Sequence, residues 1–338
     1  MRAVGYRRSL PIENPESLQD LDLPAPVPQG RDLLVRVRAV SVNPVDYKVR
    51  LRADPGGEPK VLGWDAAGVV EAVGPGATLF RPGDEVFYAG DITRAGTNAE
   101  LHLVDERIVG AKPRSLGFAE AAALPLTSLT AWEMLFDRLE VRTARPDGSN
   151  ALLIIGGAGG VGSVAIQLAR RLTGLRVIAT ASRVETRDWA LSLGAHDVVD
   201  HAGDLPAALR GIGLPEVSFV FSTTHSDRHW AAIAEVVAPQ GRVGLIDDPE
   251  PVDVRLLKRK SASLHWELMF TRSSFATPDL DAQHRILSEV SRLVDEGTIR
   301  TTVAERFGAI NAANLRRAHA LLESGRSRGK IVLEGFGD

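Results

Sequence analysis

The stretch Leu152-Leu153-Ile154-Ile155-Gly156-Gly157-Ala158-Gly159-Gly160-Val161-Gly162 decides the fold. Its four apolar residues read as a short buried strand. Gly157, Gly159 and Gly162 then fit G-x-G-x-x-G, and apolar residues recur at Val164, Ala165, Leu168, Ala169 and Leu172 with a helical period. Glycines placed where a strand turns into a helix suit a dinucleotide. The first permits a tight turn, the second lets a pyrophosphate approach the backbone, and the third lets helix and strand pack closely. The free N–H groups and positive dipole end of the helix then attract the phosphates. A Gly-rich loop with no ligand is the plainer alternative.

Downstream, strand and helix alternate. Val177–Ala181, Asp197–Asp200, Val217–Phe221 and Arg242–Ile246 read as strands. Glu185–Leu193, ending at Gly194, and His229–Val237 read as helices, with a turn at Pro239-Gln240-Gly241. Serial βα units predict a parallel sheet covered on both faces, the doubly wound α/β arrangement. Upstream, Leu34–Val42, Ala66–Val73 and Glu85–Tyr88 read as short strands between turns, which predicts a barrel-like β domain. Ala119–Leu124 is helix-prone, Pro125 interrupts it, and Thr130–Leu135 starts a second helix. The tail returns to helices over Asp281–Glu296 and Asn311–Ser324 and ends in a strand, Lys330–Leu333. It has no place in the alternating run, so it is expected to complete the β domain.

The 338 residues suffice for two domains, and the net charge of −3 gives no electrostatic case for nucleic acid or a membrane surface. No stretch approaches the ~20 apolar residues of a spanning helix. The N-terminal residues lack the apolar core of a signal peptide, so a cytoplasmic protein is expected. Cysteine is absent. That excludes disulfides, a catalytic thiol and every zinc site that needs thiolate.

About 20 residues after the glycines, an NAD-type site places an acid on the ribose 2′-hydroxyl. Here the end of the second strand reads Thr180-Ala181-Ser182-Arg183, with Arg187 one helical turn on. A hydroxyl and guanidinium groups suit a 2′-phosphate, so NADPH is expected over NADH. The alternative is a solvated first helical turn, although cations oppose the dipole there.

Over nearly its whole length the sequence resembles the medium-chain dehydrogenase/reductase superfamily. Within it, the zinc-free quinone oxidoreductase branch that includes zeta-crystallin is the nearest pattern. Ser41-Val42-Asn43-Pro44-Val45-Asp46, Gly63–Val70, Phe80–Val86, Leu124-Pro125-Leu126-Thr127, Leu193-Gly194-Ala195 and Gly329–Val332 carry the resemblance. His225–Trp230 and Leu264–Glu267 resemble its "zinc-type alcohol dehydrogenase-like" subgroup. The resemblance implies a GroES-like β-barrel domain, discontinuous over residues 1–121 and 276–338. A Rossmann domain would span 122–275. Zinc relatives hold their metal with a Cys, a His of a G-H-E segment, and another Cys or an acid. Asn43 stands near that Cys and Trp64 at that His, so no family-type zinc is expected. His225 and His229, spaced i, i+4, read as a solvated pair.

The resemblance also implies site residues. Asn43, Asp46 and Tyr47 would lie beside the nicotinamide. Tyr47 would donate to a developing oxyanion, or else line the pocket while water supplies the proton. Many relatives carry this tyrosine one residue later, at the position of Lys48. Asp46 is a catalytic candidate or a helix cap. Trp64 would wall a flat substrate or simply pack the core. Thr127 is implicated at the carboxamide, and Gly159, Gly160 and Val161 at the pyrophosphate. Ser182, Arg183 and Arg187 are implicated at the 2′-phosphate and His201 at the adenosine end. Ser222, Thr223, Leu245 and Ile246 would line the nicotinamide side, with Lys330 at the cleft.

The expected activity is zinc-independent, NADPH-dependent hydride transfer to a quinone or α,β-unsaturated carbonyl in the interdomain cleft. Without a metal, and with no Tyr-x-x-x-Lys pair, alcohol oxidation is poorly supported. An alcohol dehydrogenase with an atypical metal is one alternative. A low-turnover NADPH-binding sensor or structural protein is the other. A homodimer through the Rossmann edge strand at Ser263–Met269 is expected.

Overall fold

The computed structural model describes residues 1–143 and 149–337, which pack as two compact units. The first comprises Met1–Leu129 with Phe270–Asp338, and the second Thr130–Met269.

The first unit is β-rich. Its strands are β1 (Arg2–Tyr6), β2 (Gln19–Asp22), β3 (Asp32–Val42), β4 (Lys60–Val61), β5 (Ala66–Val73), β6 (Glu85–Tyr88), β7 (Leu101–Asp105) and β8 (Val109–Ala111). Helix α1 (Pro44–Arg52) follows β3, and α2 (Phe118–Ala122) and α3 (Pro125–Trp132) follow β8.

Among the described residues, the second unit holds six strands. These are β9 (Ala151–Ile155), β10 (Arg176–Thr180), β11 (Asp197–Val199), β12 (Val217–Ser222), β13 (Val237–Leu245) and β14 (Ser263–Trp266). Between them run α4 (Gly160–Leu172), α5 (Val184–Ser192), α6 (Leu205–Gly211) and α7 (Ser226–Val236). Back in the first unit come α8 (Thr271–Ser274), α9 (Ala282–Asp295), β15 (Val303–Arg306), α10 (Ala312–Glu323) and β16 (Lys330–Glu334).

The second unit's sheet runs β11-β10-β9-β12-β13-β14, and every pairing is parallel. The order reverses between β9 and β12. That is the switch point at which a doubly wound sheet binds ligands beyond its strand ends. Both faces are covered, so β9 and β12 are buried throughout. Ile155, Val220, Val243 and Leu245 pack with Trp230 and Ile233 of α7. Burying each such side chain contributes roughly 1.5–3 kcal/mol.

In the first unit, β16 pairs antiparallel with β3, and β15 parallel with β16. The C-terminal strand thereby joins a seven-stranded sheet begun near the N-terminus. Among the described residues, no helix is long and apolar enough to cross a membrane.

Three local expectations shift. Pro125 opens α3 rather than interrupting a helix, because the N–H it lacks has no partner in a first turn anyway. A π-helical stretch, Glu133–Arg138, continues from α3. Pro239-Gln240-Gly241 lies inside β13 as an irregularity, where the register to β12 shifts and Gln240 takes φ +61°. Helix α7 starts three residues before His229. Asp247, just past β13, accepts from the Ser226 backbone N–H at 2.8 Å and from the Ser226 hydroxyl, and so caps it.

Candidate functional site

In the second unit, the glycine loop joins β9 to α4. Gly156 takes φ +79°, a left-handed conformation suited to glycine. Its N–H donates to Thr180 Oγ1 at 3.1 Å, and the Gly157 N–H donates to the Thr180 carbonyl at 3.2 Å. The end of β10 therefore holds the loop's shape. The three motif glycines differ physically. A Cβ at Gly157 would stand 2.6 Å from the Ala179 Cβ, and one at Gly162 would stand 2.4 Å from the Gly156 carbonyl oxygen. At Gly159 a Cβ would meet only the Gly156 oxygen, at 3.4 Å. Gly157 and Gly162 are thus required by packing, while Gly159 leaves space above the start of α4. Gly160 and Val161 present first-turn N–H groups there, which have no partner within the helix. This cradle fits a pyrophosphate.

Beyond β10, Ser182 is exposed and Arg183 is the N-cap of α5, with its Nε 3.8 Å from Glu185. Arg187 is exposed and donates to the Val198 carbonyl at 2.7 Å. No carboxylate stands among Thr180, Ala181, Ser182 and Arg183.

At the switch point Thr223 donates to the Ile155 carbonyl through Oγ1 at 2.8 Å, and Ser222 Oγ accepts from Ser226 Oγ at 2.8 Å. Leu245 is fully buried, and its carbonyl accepts from the Glu267 N–H. Ile246 is half-buried just past the strand. His201 meets His229 edge-to-face at 5.6 Å, and burial lowers the pKa of both rings. His225 lies outside α7 with φ +50° and binds the Thr224 hydroxyl through Nδ1. The i, i+4 spacing of His225 and His229 is therefore not that of two helix residues, and His229 partners His201 instead.

In the first unit, a buried polar cluster joins β3, α1, β5 and β16. Lys330 Nζ donates to the Val42 carbonyl at 2.9 Å, to Asn43 Oδ1, and to Asp65 Oδ2 at 3.0 Å. Asn43 Nδ2 donates to Asp65 Oδ2 at 2.8 Å, and the Leu126 N–H to Asp65 Oδ1 at 2.8 Å. Burial raises the Asp65 carboxyl pKa, opposed by Lys330, Asn43 and the Leu126 N–H. All three ammonium protons of Lys330 are spent inside this cluster. These bonds tie β16 to the end of β3.

Asp46 Oδ2 accepts from the Asn43 N–H at 3.0 Å, so Asp46 caps α1. Its Oδ1 is buried with no hydrogen-bond partner among the described residues. Burial pushes the Asp46 carboxyl up to about 7. The Asn43 N–H and the Lys330 charge oppose the rise, and Asp65 adds to it. Tyr47 is half-buried, and its phenol pKa is raised by burial and by Glu323, with Arg52 opposing. The structure groups Asn43 and Asp46 with Asp65 and Lys330, and leaves Tyr47 under other charges. Trp64 is 1% exposed, donates through Nε1 to the Asp91 carbonyl at 3.3 Å, and meets Phe270 edge-to-face. Thr127 donates to the Leu124 carbonyl at 3.1 Å.

Sequence reasoning gave no role to Asp65, Thr180 or Asp247. Asp65 is an acid in an apolar run and fills the acidic position of the Gly63–Val70 segment, and these are the signals that could have drawn attention to it.

Two family models match the chain: "Alcohol dehydrogenase GroES-like domain" over residues 29–132 and "Zinc-binding dehydrogenase" over residues 193–333. A "Zinc-type alcohol dehydrogenase-like protein" of Staphylococcus aureus is 39% identical over 336 residues, covering 98% of this chain and 99% of that one. The chain belongs to the medium-chain dehydrogenase/reductase superfamily. Its features are those of the quinone-oxidoreductase-like branch of that superfamily, and it is an oxidoreductase. A putative zinc-dependent alcohol dehydrogenase protein from Rhizobium etli has 62% identity and a TM-score of 0.98, covering 100% of this chain and 99% of that one. A quinone oxidoreductase from Pseudomonas syringae has 25% identity and a TM-score of 0.83, covering 98% and 99%.

Several names in this superfamily carry zinc, but the donor set here is unlike a zinc centre. Tetrahedral zinc takes thiolate, imidazole and carboxylate. Among the described residues, no group of three or more His, Cys, Asp or Glu is placed to hold a metal ion. Trp64 offers an indole N–H, which is a donor only and cannot ligate.

Proposed function

We propose that this medium-chain reductase uses NADPH to reduce a quinone or an α,β-unsaturated carbonyl. The observation that carries the reading is the paired design of the nucleotide half-site. It combines an open approach over Gly159 with a β10 end that has no acid from Thr180 to Arg183 and is followed by Ser182, Arg183 and Arg187. Bound there, NADPH supplies a hydride. The chain's own part is to hold the pyrophosphate on the Gly159–Val161 backbone and the 2′-phosphate on the two guanidinium groups. An electron-poor acceptor carbon needs no Lewis acid, which suits the non-zinc donor set. The name of the Pseudomonas syringae neighbour supports a quinone acceptor.

The same reading includes a homodimer. β14 is an edge strand, and Trp266 at its end and Leu268 just past it are 53% and 59% exposed. An apolar edge of this kind favours strand pairing with a second copy.

The test is NADPH and NADH oxidation against a panel of quinones and enones, with wild type and an R183A/R187A variant. Losing two charge-assisted contacts should raise the KM for NADPH roughly tenfold to a hundredfold and leave NADH unchanged. Equal use of both cofactors by wild type would overturn the phosphate assignment. Tight NADPH binding with no turnover on any acceptor would overturn the reductase reading.

A further inference from the structure

The donor set around Lys330 has the form of a cation site that the protein fills from within. By sequence, Asn43 and Trp64 stand at positions where zinc relatives place metal ligands. In this chain Asn43 takes part in a set of three oxygens that converge on one atom, Lys330 Nζ: the Val42 carbonyl, Asn43 Oδ1 and Asp65 Oδ2. An ammonium has three protons, and each has an acceptor. The Lys330 and Asp65 side chains are 3% and 0% exposed, so water does not share the pair. An all-oxygen set with one carboxylate suits a hard cation and not zinc. A metal entering it would have to expel a buried ammonium and leave that charge without acceptors, which is strongly unfavourable.

We infer that the Lys330 ammonium is the resident cation of this site, standing in place of the superfamily's metal and neutralising Asp65. This assignment is independent of the cofactor and acceptor proposed above, because it concerns only residues of the first unit.

The experiment has two arms. The first measures zinc per chain in wild-type protein grown with added zinc, together with the melting temperature before and after dialysis against a chelator. Zinc well below one per chain and an unchanged melting temperature are expected. Stoichiometric zinc whose removal lowers the melting temperature would overturn the inference. The second arm compares K330M, D65N and K330M/D65N. K330M keeps the stem and removes the charge, so its melting temperature should fall by roughly 10 °C. D65N should restore at least half of that loss in the double variant, because the carboxylate it removes is the group left uncompensated. K330M as stable as wild type, or a double variant no better than K330M, would overturn the inference. Should K330M fail to fold, recovery of folded protein on adding D65N supports it, and continued failure counts against it.

Discussion

Gly162 lies against Gly156, so close that a Cβ on Gly162 would stand 2.4 Å from the Gly156 carbonyl oxygen. The contact separates two glycines that look alike in sequence. G162A must push the loop off the start of α4, and overpacking of this kind costs about 1–3 kcal/mol. Gly159 has φ −71° and ψ 175°, which any residue adopts, and a Cβ there clashes with nothing. G159A should therefore change stability by less than about 1 kcal/mol while weakening NADPH binding more than roughly tenfold, since its Cβ fills the space left for a pyrophosphate. Denaturant melts and a binding titration on both variants check this. A destabilised G159A with normal binding would contradict it.

Asp46 sets a pH dependence. Its folded pKa, pushed up to about 7, lies above the unfolded value near 3.9. The folded state then holds more protons than the unfolded state between those values, so this group's contribution to stability falls as pH rises from about 4 to 7 and is level above. D46N keeps an oxygen for the Asn43 N–H and removes the titration. Relative to wild type it should gain stability with rising pH, by at most about 4 kcal/mol, and the gain should plateau above pH 7. Urea unfolding of both proteins at pH 5 and pH 8 decides the matter, and parallel profiles would refute it.

His319 on α10 acts in the opposite direction. Both ring nitrogens are buried without a hydrogen-bond partner among the described residues, and burial, with the Arg50 charge added, lowers its pKa to about 3. Arg50, fully buried on α1, is ion-paired with Glu323 of α10. Stability from a neutral His319 is fully present above the unfolded pKa near 6.5 and is lost as pH falls toward 3. The loss approaches about 1.4 kcal/mol per pH unit in that window. H319L should flatten the profile between pH 6.5 and 4. Equal slopes for wild type and H319L would show that another group governs acid unfolding.

The β14 edge predicts the assembly. Replacing Trp266 by Glu puts a charge on the edge strand and should convert a dimer to a monomer in sedimentation experiments, without loss of secondary structure. A wild type that sediments as a monomer, or a W266E variant that stays dimeric, would place any interface elsewhere.

Much of the fold was legible because its determinants are local. The spacing of Gly157, Gly159 and Gly162, the apolar run of β9 and the period of α4 are properties of neighbours in the chain, and the parallel sheet follows from their repetition. The missing acid after Thr180 is likewise a local fact. What only the tertiary structure decided involves residues far apart in sequence. Lys330 meets Asp65 across 265 positions, and Asp247 caps α7 from the end of another strand. No pattern along the chain encodes either pairing. Each exists because sheet closure buries polar groups that must find partners wherever the fold brings them. The sequence offered Lys330 only as a residue at the cleft, and the tertiary structure added its bonds to Asn43 and Asp65.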